Sequence, residues 1–151
     1  MAEKEVRVLP IKEGTVIDHI TAGQALRVLR ILGVTEISHE VISVAMNVPS
    51  KAMGKKDIVK VENRELVSKE VHKIALIAPQ ASINIIRNYK VVEKYRVSLP
   101  GEIVGVLKCA NPNCISNTCE PATPKFIVKE SGLRCYYCER TAAEDIMNYL
   151  L

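Results

Sequence analysis

At 151 residues the chain has room for one domain or two small ones, and the placement of its five cysteines, all beyond residue 108, favours two. No stretch approaches the roughly 20 consecutive apolar residues needed to cross a bilayer. Residues 1–10, MAEKEVRVLP, hold no apolar run ahead of a cleavage site, so a soluble, cytoplasmic protein is expected. The net charge of +4 is uneven: 16 Lys/Arg stand against 11 Asp/Glu over residues 1–100, but 5 against 6 over residues 101–151. A nucleic-acid-binding zinc ribbon would carry the positive charge itself, so this split argues against that use of the C-terminal cysteines.

Residues 6–11 and 15–20 read as extended segments on either side of the polar link Lys12-Glu13-Gly14. Thr21-Ala22-Gly23-Gln24 has the form of a capping box, and Ala22, Ala25, Leu26, Leu29 and Leu32 continue at helical spacing until Gly33 stops them. Alternation over 42–48, with Ile42, Val44, Met46 and Val48 on one face, predicts a half-buried strand. After a loop over 49–56, a second strand spans 58–62 and sets Val59 and Val61 opposite Lys60. Ser68 is placed to cap a helix through Val71, Ile74, Ala75 and Ala78 that Pro79 halts. Two strands follow, 82–87 and 91–97, joined across Asn88-Tyr89. The order β, α, β, β, α, β with one added hairpin strand predicts an α+β fold, a ferredoxin-like antiparallel sheet with two helices on one face.

Leu99-Pro100-Gly101 marks the joint between a first domain, 1–100, and a second, 101–151. In the second, 102–108 reads as a strand, and 125–129 with 133–136 as a hairpin around Ser131-Gly132. Thr141 and Glu144 form another capping box, which predicts a C-terminal helix of Ala142, Ile146, Met147, Tyr149 and Leu150. Some fifty residues are too few to fold reliably on an apolar core, and there a structural metal is usual. Cys109, Cys114, Cys135 and Cys138 supply it as C-x4-C, twenty residues, then C-x2-C: four thiolates that suit zinc and leave no open coordination position, hence a structural site. Two disulfides are the competing reading. Cys119 also completes an acceptable set with Cys114, Cys135 and Cys138, although Asn111-Pro112-Asn113 between Cys109 and Cys114 turns the backbone as a knuckle requires.

No enzyme is legible. His19, His39 and His72 stand apart, no serine occupies a nucleophile elbow, and no glycine pattern cradles phosphate. Gly14-Thr15-Val16-Ile17-Asp18-His19-Ile20 sets a carboxylate beside an imidazole at the end of an apolar run. Lys55, Lys56, Lys60, Lys90 and Lys94 form a solvated basic face or, taken together, the surroundings of a phosphate.

These blocks resemble the regulatory chain family of aspartate carbamoyltransferase: GTVIDHI at 14–20, NVPS at 47–50, MGKKDIVKVEN at 53–63, APQASINIIRNYKVVEK at 78–94, LP at 99–100, and KCANPNCISN with CYYCE around the cysteines. The resemblance implies a non-catalytic subunit of pyrimidine biosynthesis. Its N-terminal domain would pair in a homodimer and bind ATP, CTP or UTP as effectors, and its zinc domain would contact the catalytic chains. By position it implies an effector pocket of Ile11, Asp18, His19, Lys60, Asn84, Tyr89, Val91 and Lys94, with Lys94 and His19 for phosphate charge, Asp18 and Lys60 for ribose and base, and Ile11, Val91 and the Tyr89 backbone around the base. It implies one structural zinc on Cys109, Cys114, Cys135 and Cys138, and neither a nucleic-acid nor a membrane partner. Leu9-Pro10 departs from the pattern, since Pro10 has no amide to donate. The alternative is an RRM-like RNA-binding domain with a zinc ribbon. Against it, residues 1–100 hold no Phe and only Tyr89 and Tyr95, whereas RRM sheets stack bases on paired aromatics.

Overall fold

The computed structural model describes residues 10–118, 122–142 and 145–151. Seven elements build the first half: strand β1 (Gly14–Thr21), helix α1 (Ala25–Ile31), strands β2 (Ile42–Ser50) and β3 (Gly54–Glu62), helix α2 (Ser68–Ile77), and strands β4 (Ser82–Arg87) and β5 (Lys90–Arg96). The sheet runs β2-β3-β1-β4-β5 with every neighbour antiparallel, the split-βαβ order with a hairpin strand added at one edge. Its residue pattern has period two. Thr15, Ile17, Val59, Val61, Ile83 and Ile85 point to one face and are buried, where they meet Val28 of α1 and Val71, Ile74 and Ala75 of α2. The intervening residues Val16, Lys60, Asn84 and Lys94 take the opposite face. Gly14 starts β1 at φ 141° with Val61's carbonyl oxygen only 2.1 Å from where a Cβ would stand, so no other residue fits this approach to β3. Residues 1–9, which include most of the first expected extended segment, lie outside the described residues.

Several expectations are corrected. Residues 49–56 are not a loop: β2 and β3 run on to a tight hairpin closed at residues 51–53. The alternation of β2 does not persist, because Met46 and Asn47 together oppose Asp57 in a β-bulge; Asn47 sits at φ 59° and Val44 and Met46 are exposed. A second bulge lies across the same strand, where Asp18 and His19 oppose Ile58 and His19 takes φ 55°. Thr21 and Gln24 form no capping box. Gln24 is the N-cap without a side-chain bond, and the amides of Gly23 and Ala25 instead donate to Asp57 Oδ2 at 2.9 and 3.0 Å. A carboxylate reaching in from β3 carries more charge than a local amide side chain, and so it takes the cap. Ser68 is the first helical residue of α2 rather than its cap; the Val67 amide donates to the Glu70 carboxylate at 3.1 Å. Asn88 and Tyr89 both have positive φ, 51° and 65°, as a two-residue hairpin turn matched to strand twist requires.

The second half holds a three-stranded antiparallel sheet, β6 (Glu102–Val104), β7 (Lys125–Lys129) and β8 (Gly132–Cys135), in that order. The expected strand over 102–108 is therefore only three residues long. Beyond it Leu107 bridges to Leu150, and the Lys108 amide donates to the Tyr149 carbonyl at 2.7 Å. The chain ends in a single 3-10 turn, Ile146–Tyr149, rather than an amphipathic α-helix; Thr141 bridges Arg134 in an antiparallel pair, and Glu144 lies outside the described residues. The buried set of this half is Ile103, Val106, Leu107, Phe126 and Leu133 together with Cys109, Cys114 and Cys135. Leu99 packs against this cluster and against the first.

Candidate functional sites: a thiolate cluster and an open sheet face

The four sulfurs of Cys109, Cys114, Cys135 and Cys138 lie within 4.8 Å of one another. Two edges of the cluster measure 3.6 Å (Cys109–Cys138) and 3.7 Å (Cys114–Cys135). A tetrahedral metal with thiolate bonds of about 2.3 Å needs edges of about 3.8 Å, so the cage already has the size of such a site. Local backbone builds it. The Cys114 amide donates to Asn111 O at 3.0 Å and the Asn113 amide to Asn111 Oδ1 at 3.1 Å, closing the first knuckle, while Asn117 Nδ2 clamps the carbonyls of Cys109 and Asn111 at 2.7 Å each. In the second knuckle the Glu139 amide donates to Cys135 O at 2.9 Å, with Glu139 at φ 64°. Cys119 lies outside the described residues.

The second feature is the sheet face that, among the described residues, no helix covers. Register aligns Ser43, Lys60, Val16, Asn84 and Lys94 in one row across β2, β3, β1, β4 and β5, and Asp18, Ser82 and Arg96 in the next row but one. Asp18 is held at their margin. Its carboxylate pairs with Lys56 Nζ at 3.0 Å, accepts the His19 amide at 2.7 Å and lies 3.5 Å from His19 Nδ1, which is also 3.5 Å from Ser82 Oγ. Asn84 Nδ2 donates to Val16 O at 3.2 Å. Burial pushes the Lys60 ammonium below the ordinary lysine range, and the Asp18 carboxylate draws it partly back. Val91 pairs with Ile86 at the hairpin end of the same face, two positions along β4 from Asn84. The Tyr89 amide donates to Lys12 O at 2.9 Å, which lays the segment holding buried Ile11 beside that hairpin.

The allosteric domain of the aspartate carbamoyltransferase regulatory chain matches residues 6–98, and that chain's metal binding domain matches residues 101–148. The chain belongs to the aspartate carbamoyltransferase regulatory chain family. Proteins named as that chain from Methanothrix thermoacetophila (60% identical, all of both chains), Methanoculleus marisnigri (61%, 95% of this chain and 93% of that one) and Thermococcus gammatolerans (55%, 99% and 100%) are similar over essentially their whole length. It is a regulatory, non-catalytic subunit with an allosteric and a metal-binding part. The RNA-binding alternative loses its ground here, and the structure adds that Tyr95 pairs with Ile83 and packs against the core rather than on the open face.

In the metal-binding part of this regulatory chain the four thiols are unlike. Burial pushes Cys109 up to about 12, and burial likewise raises Cys135. Burial also works against the Cys114 thiolate, but hydrogen bonds from Ser116 outweigh it and bring that group down to about 7; the Sγ–Oγ distance is 3.2 Å. Cys138 is lowered against burial by a bond from the Arg140 backbone. Two residues at the allosteric part escaped the reading of the sequence in their actual roles. Lys56, counted there only among a basic group, is the partner of Asp18, and the fully buried Asp57 accepts three amides. An acid between Lys56 and Ile58 in a strand was the available signal.

Proposed function

We propose that the open face of the sheet is where this regulatory chain takes nucleoside triphosphates, and that Ile11, Asp18, His19, Lys60, Asn84, Tyr89, Val91 and Lys94 form the pocket. The observation that carries this reading is the row Lys60–Val16–Asn84–Lys94, which sets two lysines three strands apart, about 14 Å between their backbones at roughly 4.8 Å per strand, with an asparagine between them. That span suits a nucleoside with its polyphosphate. Lys94 and His19 would meet phosphate charge, Asp18 and Lys60 ribose and base, and Ile11, Val91 and the Tyr89 backbone the base. ATP, CTP and UTP are the effectors to test. Isothermal titration with each is the experiment: saturable binding by the parent, weakened in Lys60→Ala and Lys94→Ala, is expected, and unchanged binding in both variants would put the pocket elsewhere.

The four thiolates hold one structural zinc, and residues 101–151 form the unit that contacts the catalytic chains of aspartate carbamoyltransferase, with residues 1–100 as the nucleotide-binding unit. Zinc is favoured by an all-sulfur, closed, tetrahedral donor set. The cytoplasm, where thiols stay reduced, is the compartment this chemistry fits. A homodimer of regulatory chains is favoured by the β2 edge. Residues 41–50 carry no charge, and Val41, Val44 and Met46 are exposed there, whereas the opposite edge β5 bears Lys90, Glu93, Lys94 and Arg96. Charged edges resist strand pairing and uncharged ones invite it.

A further inference from the structure

The β3 strand is flanked at one point by two bulges of the sheet, one on each side. On the β1 side Asp18 and His19 oppose Ile58, and on the β2 side Met46 and Asn47 oppose Asp57. Each bulge interrupts the ladder, and the amides left over need another acceptor. For the Asn47 amide that acceptor is Asp57, which also takes two amides at the exit of β1, while the His19 amide turns to its neighbour Asp18. The Asp57 side chain is fully buried, Oδ1 takes the Asn47 amide at 2.8 Å, and Oδ2 takes the amides of Gly23 and Ala25 at 2.9 and 3.0 Å. It therefore ties three elements at one atom pair: the β2 bulge, the exit of β1 and the start of α1. The N-cap Gln24 makes no side-chain cap bond, so the local sequence does not duplicate this function. The preceding residue, Lys56, pairs with the Asp18 carboxylate on the other side of the strand. The segment 18–25 thus begins at the bulge facing the open sheet, held by Lys56, and ends at the helix start, held by Asp57.

We propose that Asp57 is a positioning residue for the Asp18–His19 corner of the open face, and through that corner for a bound triphosphate; the second clause rests on the effector reading above. A carboxylate can receive three amides, whereas an Asn side chain turns its own N–H toward at least one of them. Loss of the anchor frees residues 18–25 to leave the bulge, and His19 then departs from its place between Asp18 and Ser82.

The test compares the full chain, Asp57→Asn, and Ile74→Val as a core-weakened control on the far side of the sheet. The readouts are the His19 imidazole resonances, with exposed His39 as internal reference, and titration with ATP and CTP. In Asp57→Asn the His19 resonances are expected to move toward those of His39 and both nucleotides to bind about tenfold more weakly or worse, the scale of a lost charged hydrogen bond. Ile74→Val should alter neither readout. Parent-like His19 resonances and affinity in Asp57→Asn, or equal changes in the control, would overturn the proposal. If the parent binds neither nucleotide, the effector reading fails and the His19 resonances alone decide the role of Asp57. Should Asp57→Asn not fold, Asp57→Glu, which keeps the charge but displaces it by one methylene, takes its place with the same expected shifts.

Discussion

Lys60 and Lys94 stand at two positions of one register row, and a nucleotide laid along that row would meet both, its phosphates at Lys94 and its nucleoside at Lys60. Alanine at either position is expected to weaken nucleotide binding by about 1–3 kcal/mol, the range for hydrogen bonds to charged groups, while leaving the melting temperature near that of the parent. Calorimetry and thermal melts on the same samples check the two halves of that statement. Asp57 behaves in the opposite way, because its removal strands three amides in the core. Asp57→Ala is expected to cost about 2–4 kcal/mol of stability, measured by urea unfolding. The thiols give a pH dependence whose sign is fixed. A metal binds thiolates, so every proton still on sulfur in the metal-free protein must leave on binding. Cys109, pushed up to about 12, remains protonated throughout the neutral range, and Cys114, at about 7, gains its proton as the pH falls through that value. Metal affinity should thus fall with falling pH by at least about tenfold per unit, more steeply below pH 7 than above it. Competition with a chromophoric chelator between pH 6 and 8 measures the slope.

At the scale of elements, periodicity carried most of the fold. The buried sets Ile17, Val59, Val61, Ile83 and Ile85 on strands and Val71, Ile74 and Ala75 on α2 follow the two- and 3.6-residue repeats that the chain displays. What periodicity could not show were the interruptions. Bulges at Asn47 and His19 reset the alternation after Ala45 and Ile17; the Asn47 amide finds its acceptor ten residues away at Asp57, beyond any local window, and the His19 amide turns to the neighbouring Asp18 carboxylate. The same holds for the start of α1, where a local capping pattern loses to a buried carboxylate from another strand. The thiolate cluster was the most legible site because its ligands come in short-spaced pairs, whereas the open face gathers residues from four strands: Asp18, His19, Lys60 and Lys94 stood out by residue type, and only the resemblance singled out Ile11, Asn84, Tyr89 and Val91. The uncharged β2 edge yields its own prediction. Val44→Lys or Met46→Lys should convert a dimeric chain to monomer without unfolding it, as charge on an edge strand blocks pairing. Light scattering of the purified variants, beside circular dichroism, reads the outcome.

For the whole molecule, two cores of very different size share one chain. Among the described residues the buried C-terminal cluster is Ile103, Val106, Leu107, Phe126 and Leu133 besides its cysteines, so a bound metal would be its main source of folding free energy, of the order of 10 kcal/mol. Chelation should therefore unfold residues 101–151 selectively and leave the five-stranded sheet, with the nucleotide binding proposed for it, largely intact. Cys138→Ser should reproduce chelation. Cys119→Ser should change neither metal content nor assembly, since the quartet of Cys109, Cys114, Cys135 and Cys138 is complete without it. The most direct test is the mass of the chain mixed with aspartate carbamoyltransferase catalytic chains, measured by size-exclusion chromatography with light scattering before and after metal removal. Co-elution of the metal-loaded chain and separation after metal removal is the predicted result; a demonstrably metal-free chain that still co-elutes, or a loaded one that never does, would contradict it.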